Sequence, residues 1–324
     1  MNTMKWLIKR EFWENKGIYL WTPLVIGTIA AVIYSSLVLF TYFQTADLTA
    51  INGVTGAKES SNLLDVIQKD IATEGNSRGI NGALAMYWVL MSITPFLMAF
   101  SSLIYLSASM QGERNDRSVL FWKSLPISDL ATALSKLALP LVLGPALCFV
   151  IAIGLYIVVA LVFCLLALIK GVNLFPFLLF KANVLLFPIK LLVVLPTYAL
   201  WALPTAAWFI LVSSWANSRV FLWAVGLPAV SLILLRIVSH YAGIDLNVQW
   251  FFKNIVARLI GGTVPGSWII DVRMAKELEA TFSFQTIFEQ MLLTLQSPAL
   301  WIGVLAGSGM LYLAARMRRY REDF

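Results

Sequence analysis

Apolar runs of about 20 residues or more recur along this chain, and they decide its fold class before any other feature. IYLWTPLVIGTIAAVIYSSLVLFTY (18–42) and LALPLVLGPALCFVIAIGLYIVVALVF (137–163) contain no Asp, Glu, Lys or Arg. Runs of that length match the hydrocarbon thickness of a bilayer when coiled as helices. Of the 324 residues, 60% are hydrophobic and 13% are charged, against about 25% charged in an ordinary soluble domain. The expectation is an all-α polytopic membrane protein, a single transmembrane domain over 1–324. Six spans are read at about 18–42, 84–110, 131–168, 184–214, 220–241 and 298–316. The first follows a charged N-terminus and lacks a small-residue cleavage site, so it reads as a retained span rather than a signal peptide. The third is longer than a bilayer needs and should tilt or project into water.

Basic residues set the orientation. Lys5, Lys9, Arg10 and Lys16 precede span one. Arg114, Arg117, Lys123 and Lys136 flank the loop after span two, Arg219 sits in the short turn after span four, and Arg316, Arg318, Arg319 and Arg321 follow span six. Longer loops on the other side are poorer in them, so the positive-inside bias places both termini and the 111–129 loop in the cytoplasm. The net charge of +7 is explained by this placement and by anionic headgroups, and does not call for nucleic acid. Cys148 and Cys164 share one apolar run and have no metal-ligand spacing.

Two long loops then face outward, 43–83 and 242–297. The first holds a short amphipathic piece (Leu63, Leu64, Ile67, Ile71). In the second, VQWFFKNIVARLIGG places Val248, Phe251, Phe252, Ile255, Val256, Leu259 and Ile260 on one half of a helical wheel, and Lys253, Asn254 and Arg258 on the other. It is too short to span, so it lies in the outer interface, dips in from it, or packs on external protein surface. Trp250, Phe251, Phe252, Lys253 and Arg258 are its candidate functional residues.

Chemistry of the catalytic kind is missing from the sequence. No G-x-x-x-x-G-K-[ST] occurs, so the chain has no P-loop for nucleotide phosphates. No Ser/His/Asp set or metal cluster is evident, and neither a metal nor a cofactor is expected on this chain. The single histidine, His240, falls at the outer end of span five. Lys190 and Arg236 also lie near outer ends, where long basic side chains snorkel to headgroups. Every Asp and Glu falls in a loop or terminus, which argues against a proton- or sodium-coupled carrier with an ionisable relay at depth. Gly303 and Gly307 form a GxxxG that lets helices approach closely within one chain.

The loop QGERNDRSVLFWKSLPISD (111–129) is the exception in this apolar sequence. Glu113, Arg114, Asp116, Arg117, Lys123 and Asp129 crowd it. Gln111–Lys123 lacks Pro and reads as a stiff helix, closed by Ser124-Leu125-Pro126 because the residue before Pro avoids the α region. Ser128 suits an N-cap, with Asp129 in the first turn of the next helix. A solvated loop would satisfy the charge bias alone; mixed signs beside Phe121 and Trp122 instead fit a docking surface for another protein.

With its place after the second of six spans, the pattern E-R-x-x-x-S-V-L-F-W-K-S-L-P-I-S resembles the ABC-2 family of ABC-transporter permease subunits. The residues carrying the likeness are Glu113, Arg114, Ser118, Leu120, Ser124, Leu125, Pro126, Ile127, Ser128 and Lys136. Asp116-Arg117 depart from the Gly-Thr-type pair of many relatives. KWLIKREFWENKG resembles the family's N-terminal interfacial helix, with Trp6, Arg10, Glu11 and Trp13 as its candidate residues. The segment before span six resembles its short re-entrant outer helices. The resemblance implies an exporter fold in the bacterial inner membrane with a cytoplasmic coupling helix at about 111–124. The ATPase-docking residues would be Glu113, Arg114, Asp116, Arg117, Ser118, Leu120, Lys123, Leu125 and Pro126. It also implies a second permease subunit (homodimer or heterodimer), lipid neighbours, and a separate ATPase dimer that holds ATP and Mg. This chain would then be a transport subunit and not an enzyme, exporting an amphipathic, lipid-like or peptide substrate. Other readings are a secondary transporter or channel, and a membrane scaffold or sensor.

Overall fold

The computed structural model describes residues 3–55, 78–118, 122, 124, 126–169, 173, 175, 192–243, 247–269 and 284–320. All elements among them are helical. Helix α1 (Thr3–Glu14) is followed by a π-turn at Gly17–Trp21 and then α2 (Thr22–Thr55). Next come α3 (Arg78–Asn115), α4 (Asp129–Ala138), a second π-turn at Leu139–Leu143, and α5 (Gly144–Ile169). The C-terminal part holds α6 (Leu195–Trp215), α7 (Val220–Ala242), α8 (Val248–Phe251), a third π-turn at Phe252–Val256, α9 (Ala257–Gly261), α10 (Phe284–Gln296) and α11 (Pro298–Tyr320).

Six stretches are long and apolar enough to cross a membrane: Gly17–Leu37, Ile93–Asn115, Asp129–Leu166, Leu192–Trp215, Val220–Ala242 and Pro298–Tyr320. This is the architecture of a polytopic helical membrane protein. Large apolar side chains such as Ile233, Leu234, Ile302 and Leu305 stand exposed on these helices, as lipid-facing side chains do. The helices group into two compact units. One comprises Met1–Trp21, Pro95–Leu147 and Lys190–Phe324; the other comprises Thr22–Thr94 and Cys148–Ile189.

In the larger unit, α6 and α11 form the central pair. Pro204 lies inside α6, and Gly307 of α11 meets its backbone; a Cβ on Gly307 would stand 3.1 Å from Pro204 N and Cα. Small residues thus bring the two backbones together, as the GxxxG suggested. Helix α11 starts cleanly: Pro298 takes the first position, and Ser297 Oγ accepts from Leu300 N. Between α6 and α7 the chain reverses through Ala216–Arg219, with Arg219 left-handed at φ 52°. Trp208 Nε1 donates to Ala224 O across this hairpin at 2.8 Å.

The segment 247–263 dips between helices of this unit. Thr205 Oγ1 donates to Arg258 O and Tyr198 Oη donates to Thr263 O at 3.0 Å. Thr205 is ten residues into α6, about 15 Å along its axis. The segment therefore packs against the middle of α6. The wheel drawn from sequence put Arg258 on the polar face, but Arg258 is buried. The π-turn at Phe252–Val256 adds a residue to one turn and rotates everything after it, bringing Arg258 inward. Lys253, Trp250 and Phe252, at or before that turn, remain exposed, and Phe251 is half-buried.

Candidate functional site

The end of the larger unit where α1 begins and α11 finishes holds a buried cluster of charge. Glu113 stands in the last turn of α3. Its Oε1 lies 3.1 Å from Arg10 Nη2 and 3.1 Å from Lys136 Nζ, and its Oε2 accepts from Arg318 Nη2 at 2.9 Å. Glu11 of α1 accepts from Lys136 Nζ at 3.0 Å and from Tyr105 Oη at 2.8 Å. Asp129 Oδ1 is 4.0 Å from Arg318 Nε. Glu11, Glu113 and Asp129 thus balance Arg10, Lys136 and Arg318. Balance matters because Glu11, Glu113, Lys136 and Arg318 are all buried. An isolated buried charge costs several kcal/mol, roughly 3–5 kcal/mol when one partner of a pair is removed.

Local structure delivers each group. Asp129 and Lys136 are two turns apart on one face of α4, which starts at Ser128, whose Oγ accepts from Ala131 N at 3.2 Å. Ser102, Tyr105 and Glu113 run down one stripe of α3. Tyr19, set by the first π-turn, packs edge-on against Tyr105 with ring centroids 5.6 Å apart. Its ring also lies over Gly144, where a Cβ would come within 2.8 Å. Gly144 ends the second π-turn, its N–H bonding Leu139 O, next to Pro140, which supplies no N–H of its own. Two wide turns therefore interlock under the charge cluster. Such turns occur often at functional sites.

Arg114, next to Glu113, faces the other way. Its Nη2 donates to Ser213 O at 2.7 Å and Ala216 O at 2.6 Å, capping the end of α6. Ser213 Oγ accepts from Met110 N and Gln111 N, each at 3.1 Å, and donates to Ser107 O at 2.9 Å. Gln111 Nε2 reaches Asn217 O at 2.7 Å. Glu113 and Arg114 together join the end of α3 to α1, α4, α6 and α11.

Beyond them the chain turns. The sequence led us to expect one stiff helix over 111–124. Instead, α3 runs on to Asn115 and stops, because Arg117 is left-handed at φ 53°; Ser118 Oγ then donates to Glu113 O at 3.3 Å. Asn115, Asp116, Arg117, Ser124 and Pro126 are exposed. Trp122 is partly covered, with the Arg10 guanidinium 3.7 Å above its ring. Leu120, Phe121, Lys123 and Leu125 lie outside the described residues, as do Leu63, Leu64, Ile67, Ile71 and Lys190. Glu113, expected on a docking surface, is instead buried in the ion-pair cluster, and Arg114 is spent on α6.

Trp6 and Trp13 of α1 are exposed, while Leu7 and Glu11 form its inner face. Arg10 bridges the two sides. Burial works to lower its pKa, but the hydrogen bond to Glu14 and the charges of Glu11 and Glu14 outweigh that, and the net shift is upward. Arg236 and His240 are exposed on α7, and the His240 ring packs on Tyr241. No group of three His, Cys, Asp or Glu able to hold a metal occurs among the described residues.

Neither protein families, nor curated proteins, nor solved structures give a match to this chain.

Sequence reasoning missed Tyr19, Tyr105 and Ser213, and gave Arg318 only a topological role. A signal for Arg318 existed. Gly303, Gly307, Leu311, Ala314 and Arg318 fall on one helical stripe and are all buried. Among the C-terminal basic residues of α11, Arg318 alone continues that stripe inward; Arg316 and Arg319 do not.

Proposed function

We propose that this chain is the membrane-spanning permease subunit of an ATP-driven exporter of the ABC-2 type. A separate ATPase dimer docks on the loop after α3, at the exposed residues Asn115, Asp116, Arg117, Ser124 and Pro126, and a second permease subunit completes the complex. The membrane is the bacterial inner membrane, with both termini cytoplasmic. The cargo is an amphipathic, lipid-like or peptide compound.

The observation that carries this reading is the tie between the turn and the spans. A push on Asp116 and Arg117 reaches α1, α4 and α11 through Glu113 and reaches α6 through Arg114. Short charge-assisted bonds in a buried setting transmit displacement with little slack. Of the residues the sequence offered for docking, Asp116, Arg117 and Pro126 are exposed and make the contact; Glu113 and Arg114 pass it on.

Co-expression with the ATPase encoded beside it, followed by purification through a tag on this subunit, tests the reading. The wild-type chain retains the ATPase, and Asp116→Lys with Arg117→Glu releases it while the permease stays folded. Absence of any retained ATPase, or retention unchanged by the double reversal, contradicts the proposal.

A further inference from the structure

At the opposite end of the larger unit from the charge cluster, Arg258 of the segment 247–263 is a buried cation with no carboxylate partner among the described residues. Its guanidinium lies between two helices. On one side is Gly303 of α11, where a Cβ would fall among the guanidinium atoms. On the other is the Trp201 ring of α6, 4.2 Å away. Nη1 donates to Ala299 O and Nη2 to Leu300 O at 3.4 Å. Nε finds no acceptor. Neither does Trp201 Nε1, on the ring stacked against it, nor Thr263 Oγ1, which is fully buried five residues further on.

All three orphans can donate: the arginine and the indole N–H offer only donors, and the Thr263 hydroxyl carries one. Arg258 also contacts the first turn of α11, the positive end of a 23-residue helix. Cation and dipole therefore add where a cation alone is unfavourable. Gly303 is five residues into α11, about 8 Å along it, and Arg258 beside it is buried. Uncompensated charge there is costly. An anion rich in acceptor oxygens would match such a set of donors.

We infer that Arg258, Trp201 and Thr263 form a binding site for the phosphate group of an amphipathic molecule. Guanidinium matches phosphate through paired N–H donors, and the indole N–H supplies a third. The inference does not rest on the permease reading, since binding is a property of the isolated chain.

Native mass spectrometry of the full chain in a neutral maltoside detergent tests it. Phosphatidylglycerol is titrated in one arm and inorganic phosphate is added as competitor in a second. Diacylglycerol, with the same tails and no phosphate, is the control. Trp201→Phe keeps the ring over Arg258 and removes one donor, so phosphatidylglycerol affinity should fall about tenfold with the melting temperature unchanged. Arg258→Gln should abolish the preference for phosphatidylglycerol over diacylglycerol, and Lys253→Gln, an exposed charge on the same segment, should leave it intact. Displacement by millimolar inorganic phosphate would show that a free phosphate fills the site; resistance to it would show that the lipid phosphate does. Equal affinity in wild type, Trp201→Phe and Arg258→Gln overturns the inference.

Discussion

Lys136 Nζ lies 3.0 Å from Glu11 Oε1, joining residues 125 positions apart. The same ammonium stands 3.1 Å from Glu113. One buried cation therefore holds two carboxylates from two other helices. Removing it leaves those carboxylates facing each other without compensation. Lys136→Met should destabilise the folded chain by roughly 3–5 kcal/mol, read as a lowered melting temperature in detergent. Adding Glu11→Gln should recover part of that loss, since neighbouring substitutions couple.

Arg10 and Glu14 make a contrasting pair. They are 2.8 Å apart, but Glu14 is about half exposed. Water and salt screen such pairs, so Glu14→Ala should change stability by only about 0.3–0.5 kcal/mol. Thermal unfolding of Glu14→Ala beside Lys136→Met checks the ordering. Comparable losses in the two would contradict the burial argument.

The Tyr19 ring leaves no room on Gly144. Gly144→Ala should cost about 1–3 kcal/mol from overpacking against a ring held by Tyr105 and the π-turn. Gly144→Ala with Tyr19→Leu should cost less than the separate losses combined, which a double-mutant cycle measures.

Gly262 is equally confined. A Cβ there would lie 2.3 Å from Thr205 Oγ1 and 2.8 Å from Arg258 O. Gly262→Ala should push the segment 247–263 away from α6, and hydrogen exchange over 248–262 should speed up while that of α11 holds. Thr205→Ser keeps the hydroxyl and should leave exchange near wild type.

Much of the fold was legible because lipid imposes a simple rule. Uninterrupted apolar runs must be helices, and all six span readings overlap the helices found. The Ser128 N-cap and the Gly307 contact were also readable, each being set by local chemistry. The charge cluster was not. Glu11 and Lys136 look like ordinary interfacial charges until tertiary structure brings them within 3.0 Å. Helix α1 buries a carboxylate, Glu11, on its inner face beside Leu7 and leaves Trp6 and Trp13 exposed, the reverse of the usual pattern. Arg258 was misplaced because a wheel assumes 3.6 residues per turn throughout, and the π-turn breaks that assumption. The 111–124 segment was read as one helix because nothing in its composition signals a left-handed arginine at 117.

In the proposed division of labour, exposed Asp116 and Arg117 dock the partner and buried Glu113 transmits the push. Glu113→Gln separates the two. It keeps the side chain's shape and removes the charge that Arg10, Lys136 and Arg318 share. Purified with its ATPase in lipid nanodiscs, the Glu113→Gln complex should retain the ATPase at wild-type stoichiometry, yet its permease-dependent ATP hydrolysis should fall at least tenfold. Loss of the ATPase from a folded Glu113→Gln chain, or hydrolysis at the wild-type rate, would contradict the account.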